Sequence, residues 1–200
     1  EAKFMRNITF SQYRAMDLTI FAVIVCVFEA VIVVALRYWF TTEVYTLSLL
    51  VPLTAIVAMR WGPYSIVHVL LANIAFCAAS GADFKQYFMY VVGSCLCLVP
   101  ALLFPKLLGK EELRSKWYYG VLYTALIFTF SSIGRGIAMS LLYGRSLMDS
   151  VNAHFFSDSL SLVFGILIVL VARKQDGLFE DQKSYIKRVN EEKEKQKQKI

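Results

Sequence analysis

Apolar runs of roughly 18–25 residues recur from near Asp17 to Ala172, and no other feature limits the fold so severely. A hydrocarbon core about 30 Å thick is crossed by a helix rising about 1.5 Å per residue, so runs of this length reach from one side to the other. Composition agrees, since 58% of the 200 residues are hydrophobic and the mean hydropathy is +0.55. A soluble domain of this length rarely carries so much apolar surface. The first run reads on to "ALRYW" without a small-residue cleavage site, so it is expected to be a span and not a removed signal peptide. The expected fold class is all-α: a polytopic membrane protein with a six-transmembrane-helix bundle and both termini cytoplasmic.

The pattern predicts helices over about Asp17–Arg37, Val44–Met59, Tyr64–Ser80, Gln86–Leu108, Trp117–Tyr143 and Asn152–Ala172. The second is short and contains Pro52, which predicts a kink or a partial span. "RWGP" at 60–63 reads as a tight turn, "GADFK" as the next, and Pro100 as an interruption of the fourth helix. "GKEELRSK" reads as a charged loop, its paired glutamates solvated among lysines. Residues 1–175 are expected to form the membrane domain and residues 176–200 a charged cytoplasmic tail with a weak apolar stripe of Leu178, Tyr185, Ile186 and Val189.

The net charge of +6 fits basic cytoplasmic loops and not nucleic-acid binding. With the N-terminus inside, the cytoplasmic segments hold Lys3, Arg6, Arg14, Arg60, Lys106, Lys110, Arg114, Lys116 and every cation from Arg173 onward. The outer segments hold Arg37, Lys85 and Arg145. That asymmetry supports both termini inside and an even number of spans. Cys26, Cys77, Cys95 and Cys97 all fall within apolar runs and read as buried free thiols.

Ionisable groups at membrane depth are costly and face a bundle interior, a cavity or one another. Glu29, Asn73, Arg135 and Asp158 each lie roughly 9–13 Å beneath the outer end of its helix, counted along the helix rise. Four helices thus contribute to one polar layer. Either Arg135 pairs with Asp158 or Glu29 as glue between helices, or the layer floors a pocket open to the outside. Further polar residues above it favour the pocket: Asn152, His154, Ser157 and Ser161 on the sixth helix, with Trp39, Glu43, Asp83 and Gln86 at the outer loops. His154 and Asp158 share a helix face, which suits a hydrogen-bonded pair better than a metal site of only two ligands. An amphoteric or anionic ring compound suits such a layer. Arg135 would hold a carboxylate or carbonyl, Asp158 and Glu29 would accept from N–H or O–H groups, and Trp39, Tyr87, Tyr90, Phe155 and Phe156 would stack on the ring. His68, on the inner half of the third helix, reads as an interhelical hydrogen-bonding residue.

Ala22, Cys26 and Ala30 form a small-residue stripe that lets another helix approach closely, within the protein or from another one. Ser132, Gly136 and Ser140 form a second stripe beside Arg135, where they would make room around the pocket. The sequence holds no glycine-rich phosphate loop, no His-Glu-x-x-His pair and no nucleophile elbow, so neither nucleotide hydrolysis nor another enzymatic activity is expected.

Size, six helices, the turn-and-helix "RWGPYSIVHVLLANIAF" and the Ala22–Cys26–Ala30 stripe together resemble the substrate-binding S components of energy-coupling factor (ECF) vitamin transporters. The resemblance covers roughly residues 10–175 and lies in architecture and scattered pattern. It implies tight binding of a vitamin or related micronutrient near the outer face of a bacterial plasma membrane. It also implies a membrane coupling subunit docked on the Ala22, Cys26 and Ala30 stripe, two cytoplasmic ATPases that alone use ATP, and delivery by toppling within the membrane. The alternative is a membrane sensor or scaffold whose basic tail docks a cytoplasmic partner.

Overall fold

The computed structural model describes residues 9–39 and 46–197. Glu43 and the expected start of the second helix at Val44 lie outside them. The described residues form helices without strands: α1 (Phe10–Trp39), α2 (Leu50–Trp61), α3 (Ser65–Ser80), α4 (Phe84–Gly93), α5 (Leu98–Leu108), α6 (Lys110–Ser115), α7 (Trp117–Tyr143), α8 (Leu147–Ser157), α9 (Ser159–Ala172) and α10 (Gln182–Lys197). Four segments are long and apolar enough to cross a membrane, namely Phe10–Trp39, Leu50–Ser80, Phe84–Leu108 and Trp117–Tyr143. Leu147–Ser157 and Ser159–Ala172, bent by 52° between them, make a fifth when taken together.

Leu50–Ser80 does not run straight. Gly62 sits at φ 60°, a backbone shape that L side chains avoid, and Pro63 follows it. The chain reverses there, as its contacts with α1 record. Ser48 and Leu49 meet Glu29, Arg60 meets Asp17, His68 meets Leu18, and Ser80 meets Arg37. So α2 runs antiparallel to α1 and α3 parallel to it. At about 1.5 Å per residue the 12 residues of α2 reach only roughly 18 Å, and residues 46–49 enter the bundle as non-helical chain. Irregular backbone at such depth needs protein partners, and Glu29 and the α8–α9 break supply them for the amides of Thr46, Ser48 and Leu49.

Each proline in the fourth pass leaves a mark. Ser94–Cys97 tightens to a 3-10 turn just ahead of Pro100, whose ring collides with the carbonyl four residues back. Pro105 cannot donate to Ala101, and the buried Tyr123 hydroxyl donates to that carbonyl instead, at 2.8 Å. Two expectations are corrected here. The predicted loop after Leu108 contains the short helix α6. The predicted single helix over Asn152–Ala172 starts at Leu147 and breaks at Asp158.

Glycines set how closely the helices cross. A Cβ on Gly93 would lie 2.8 Å from the Gly134 carbonyl oxygen and 2.9 Å from Arg135 Cα, so α4 and α7 meet backbone to backbone. A Cβ on Gly136 would lie 2.7 Å from Val151 Cα, which seats α8 on the other side of α7. The Ser132–Gly136–Ser140 stripe is therefore a crossing point at its centre.

The two ends of the bundle differ. Residues 10–14, Arg60, α6, Arg173 and α10 gather at a basic end, with Arg37, Lys85 and Arg145 at the far end. At the basic end the chain after Ala172 plugs the bundle. Phe179 and Gln182 are fully buried, Arg60 donates to the Gly177 carbonyl, and Gln182 binds Tyr13 and Gly177. Lys110 pairs with Asp181 at 2.6 Å, and Arg114 pairs with Asp176 and Glu180.

Two outcomes follow. Gly134→Ala forces α4 off α7 and should destabilise the protein by about 1–3 kcal/mol, read as a lower melting midpoint in detergent. For Asp181, burial pushes the carboxyl up, but the Lys110 ammonium and the Ser184 hydrogen bonds outweigh it and hold the carboxyl below its usual range. Its stabilisation is then complete above an unfolded value of about 4 and disappears as pH falls through the folded value. Asp181→Asn should therefore melt earlier than wild type at pH 7, with the two curves converging as pH falls below the folded value.

Candidate functional site

The polar layer is built from the α4–α7 crossing outward. Gly93 and Gly134 bring the two backbones together, which sets Ser94 beside Arg135. Arg135 Nε donates to Ser94 Oγ at 2.7 Å, Nη1 to Asp158 Oδ2 at 2.6 Å, and Nη2 to Asn73 Oδ1 at 3.2 Å. Ser94 donates onward to Asn73 at 3.1 Å, and the Asn73 amide donates to the Val69 carbonyl at 2.7 Å. The Tyr90 ring covers the guanidinium, its centroid 4.8 Å from Cζ. Arg135 and Asp158 are only 5% and 4% exposed. The cation is neutralised and hydrogen-bonded wholly within the protein.

Asp158 is the hub between this network and the irregular chain. At the α8–α9 break the Ser161 amide bonds Asp158, which frees the Ser157 carbonyl to accept from the Thr46 amide at 2.8 Å. The Thr46 hydroxyl donates to Asp158 Oδ1. Two residues on, the Ser48 amide donates to Ser161 Oγ at 3.0 Å, and the Ser161 hydroxyl donates to the Thr46 carbonyl. Glu29 receives the other end of this segment. Its Oε1 accepts from the Ser48 hydroxyl and the Leu49 amide, each at 2.7 Å. Glu29 thus serves the start of α2, its Oε1 accepting from an amide that has no partner within the helix.

Of the residues singled out from sequence, Arg135, Asp158 and Asn73 form one network, and Glu29 joins it through residues 46–49. His154 is buried one turn before Asp158 and faces the edge of Tyr90, with ring centroids 6.1 Å apart. Asn152 is exposed, and Trp39 is 80% exposed at the end of α1. Phe155 packs inward on Phe128, and Phe156 points outward. Asp83 and Gln86 form a reciprocal cap at the start of α4. Ala22, Cys26 and Ala30 are half-buried, flanking the buried Val25, Glu29 and Val33 stripe of α1. His68 bonds the Leu18 carbonyl at 2.9 Å, as an interhelical residue would. Thr46, Ser48 and Ser94 were not singled out. The only signal for them was a hydroxyl inside or between apolar runs.

Above Tyr90, at the far end, lies a cavity of about 340 Å³ between α1, α3, α4, α7 and α8. Arg37, Phe76, Gln86, Tyr90, His154 and Ser157 line it, with apolar walls from Val33, Leu36 and Met139. Arg135 is not among the lining residues, because Tyr90 lies over it. His154 Nε2 has no hydrogen-bond partner among the described residues. No three His, Cys, Asp or Glu side chains converge on a metal site among the described residues. Comparison with protein-family models, curated proteins and solved structures gives no match.

Removing one partner of a buried pair strands the other charge, at a cost of about 3–5 kcal/mol, whereas replacing both by apolar groups is often near neutral. Arg135→Met alone should therefore lower unfolding stability in that range, and Arg135→Met with Asp158→Leu should recover much of the loss. A double-mutant cycle in denaturant measures the difference.

Proposed function

We propose that the protein is a membrane-embedded substrate-binding protein that captures a small molecule in the far-end cavity. The observation that carries this reading is the cavity itself. It is in the size range of small-molecule sites, more apolar than polar, and lined by a few polar side chains, among them Arg37, Gln86, His154 and Ser157. The charge asymmetry supports a cytoplasmic basic end, which puts the cavity on the outer side. With Leu50–Ser80 folded back at Gly62 and α8–α9 taken as one bent pass, the chain crosses six times with both termini inside.

Within this reading Arg135 and Asp158 are the frame beneath the site. Ligand contacts fall to His154, Tyr90, Gln86 and Ser157, with Phe76 and Tyr90 available to stack on a ring. That arrangement suits a flat molecule with a hydrogen-bonding edge, and the Arg37 guanidinium on the wall favours a neutral or anionic group over a cation. The resemblance to ECF S components extends the proposal to an importer. A vitamin-like micronutrient is the cargo, a coupling subunit docks beside Ala22, Cys26 and Ala30, and two cytoplasmic ATPases supply the energy.

Calorimetric titration of the purified protein with a panel of water-soluble vitamins tests this. One compound should bind saturably, and His154→Ala and Tyr90→Phe should each weaken it by about tenfold or more, or ~1.4 kcal/mol. Saturable binding by no compound, or unchanged affinity in both variants, contradicts the proposal.

A further inference from the structure

A second cavity of about 340 Å³ opens at the basic end, between the start of α1, the Gly62 turn, the end of α5 and the start of α10. Its walls are apolar, made of Ala58, Ala101, Leu102 and Pro105 with Trp61. Its rim is cationic, with Arg14, Arg60, Lys106, Lys110 and Lys183 against the single carboxylate of Asp181. Two of these cations are already engaged. Arg60 is bound to Asp17 at 2.6 Å and to the Gly177 carbonyl, and Lys110 is bound to Asp181 at 2.6 Å. Arg14, Lys106 and Lys183 form no ion pair among the described residues. Arg14 is held over the Tyr64 ring, 4.6 Å from its centroid, so its position at the rim is fixed.

Like charges gathered at one mouth repel one another, and an anion placed between them removes that cost. The surroundings identify the anion's carrier. Tyr64, Trp117 and Tyr118 are 42%, 62% and 47% exposed at this end, the amphipathic aromatics that mark the headgroup level of a bilayer. About one turn inward of Lys106 on α5, Leu102 lines the cavity and Leu103 is 51% exposed, so the apolar surface continues toward the membrane interior. A phosphate at the cationic rim with chains running along these leucines satisfies both features, whereas a free phosphate ester satisfies only the first. We infer that this cavity binds the phosphodiester headgroup of an anionic phospholipid from the leaflet at the basic end. The site is separate from the far-end cavity and does not depend on that cavity's having a ligand.

The test uses the full-length protein in detergent, equilibrated with an equimolar mixture of dioleoyl phosphatidylglycerol and dioleoyl phosphatidylcholine, and reads retained lipid by native mass spectrometry. Wild type should retain phosphatidylglycerol over phosphatidylcholine by about tenfold, and Arg14→Gln/Lys106→Gln/Lys183→Gln should bring the ratio to about one. These substitutions lie at the surface, and an unchanged melting midpoint confirms the fold. Lys85→Gln/Arg145→Gln, which removes charge at the far end, should keep the preference. Equal retention of the two lipids by wild type, or a preference kept by the triple variant, overturns the proposal. So does equal loss in the far-end variant, which would make net charge the cause. Inorganic phosphate that binds wild type while phosphatidylglycerol shows no preference overturns the lipid assignment.

Discussion

The buried Arg135–Asp158 pair is the interaction on which the rest of this structure depends. A guanidinium at this depth is tolerated when it is paired and hydrogen-bonded, and Asn73 of α3, Ser94 of the 3-10 turn after α4 and Asp158 at the α8–α9 break each accept from it. Asp158 answers the cation with one carboxylate oxygen and holds the irregular chain at Thr46 with the other. The same residue therefore neutralises the charge and makes a non-helical segment admissible inside an apolar bundle. Glu29 completes that task at Leu49.

This frame divides the molecule into functional levels. Tyr90 lies at the boundary, with Arg135 on one side and the far-end cavity, lined by His154 and Gln86, on the other. Below the frame, Phe179 and Gln182 close the basic end, so the chain after Ala172 begins as part of the core. A fixed, internally neutral floor would suit the proposed small-molecule site, since little of a ligand's binding energy would then be spent on rearranging charges.

Much of this was legible in the sequence where one physical signal dominated. Hydropathy and the glycine after Tyr143 gave α7 the bounds it has, Trp117–Tyr143, and "RWGP" marked the reversal at Gly62. The co-location of Arg135, Asp158 and Asn73 followed from counting depth along helices. Other features left no periodic trace. Asp158 reads as mid-helix, because its partner at the break, Thr46, comes from elsewhere in the bundle. Ser94 and Thr46 look like ordinary hydroxyls in apolar runs. The depth count put Glu29 level with Arg135 but could not show which group it served. No sequence signal shows that the space beside Gly134 is filled by the backbone of Gly93.

The central claim is that Arg135 belongs to the frame and that ligand binds above Tyr90. An experimental structure of the protein purified with its small molecule tests this most directly. The account predicts density against His154 and Tyr90, with Arg135 still bonded to Asp158, Ser94 and Asn73. Density bonded to a guanidinium that has left Asp158 would contradict it.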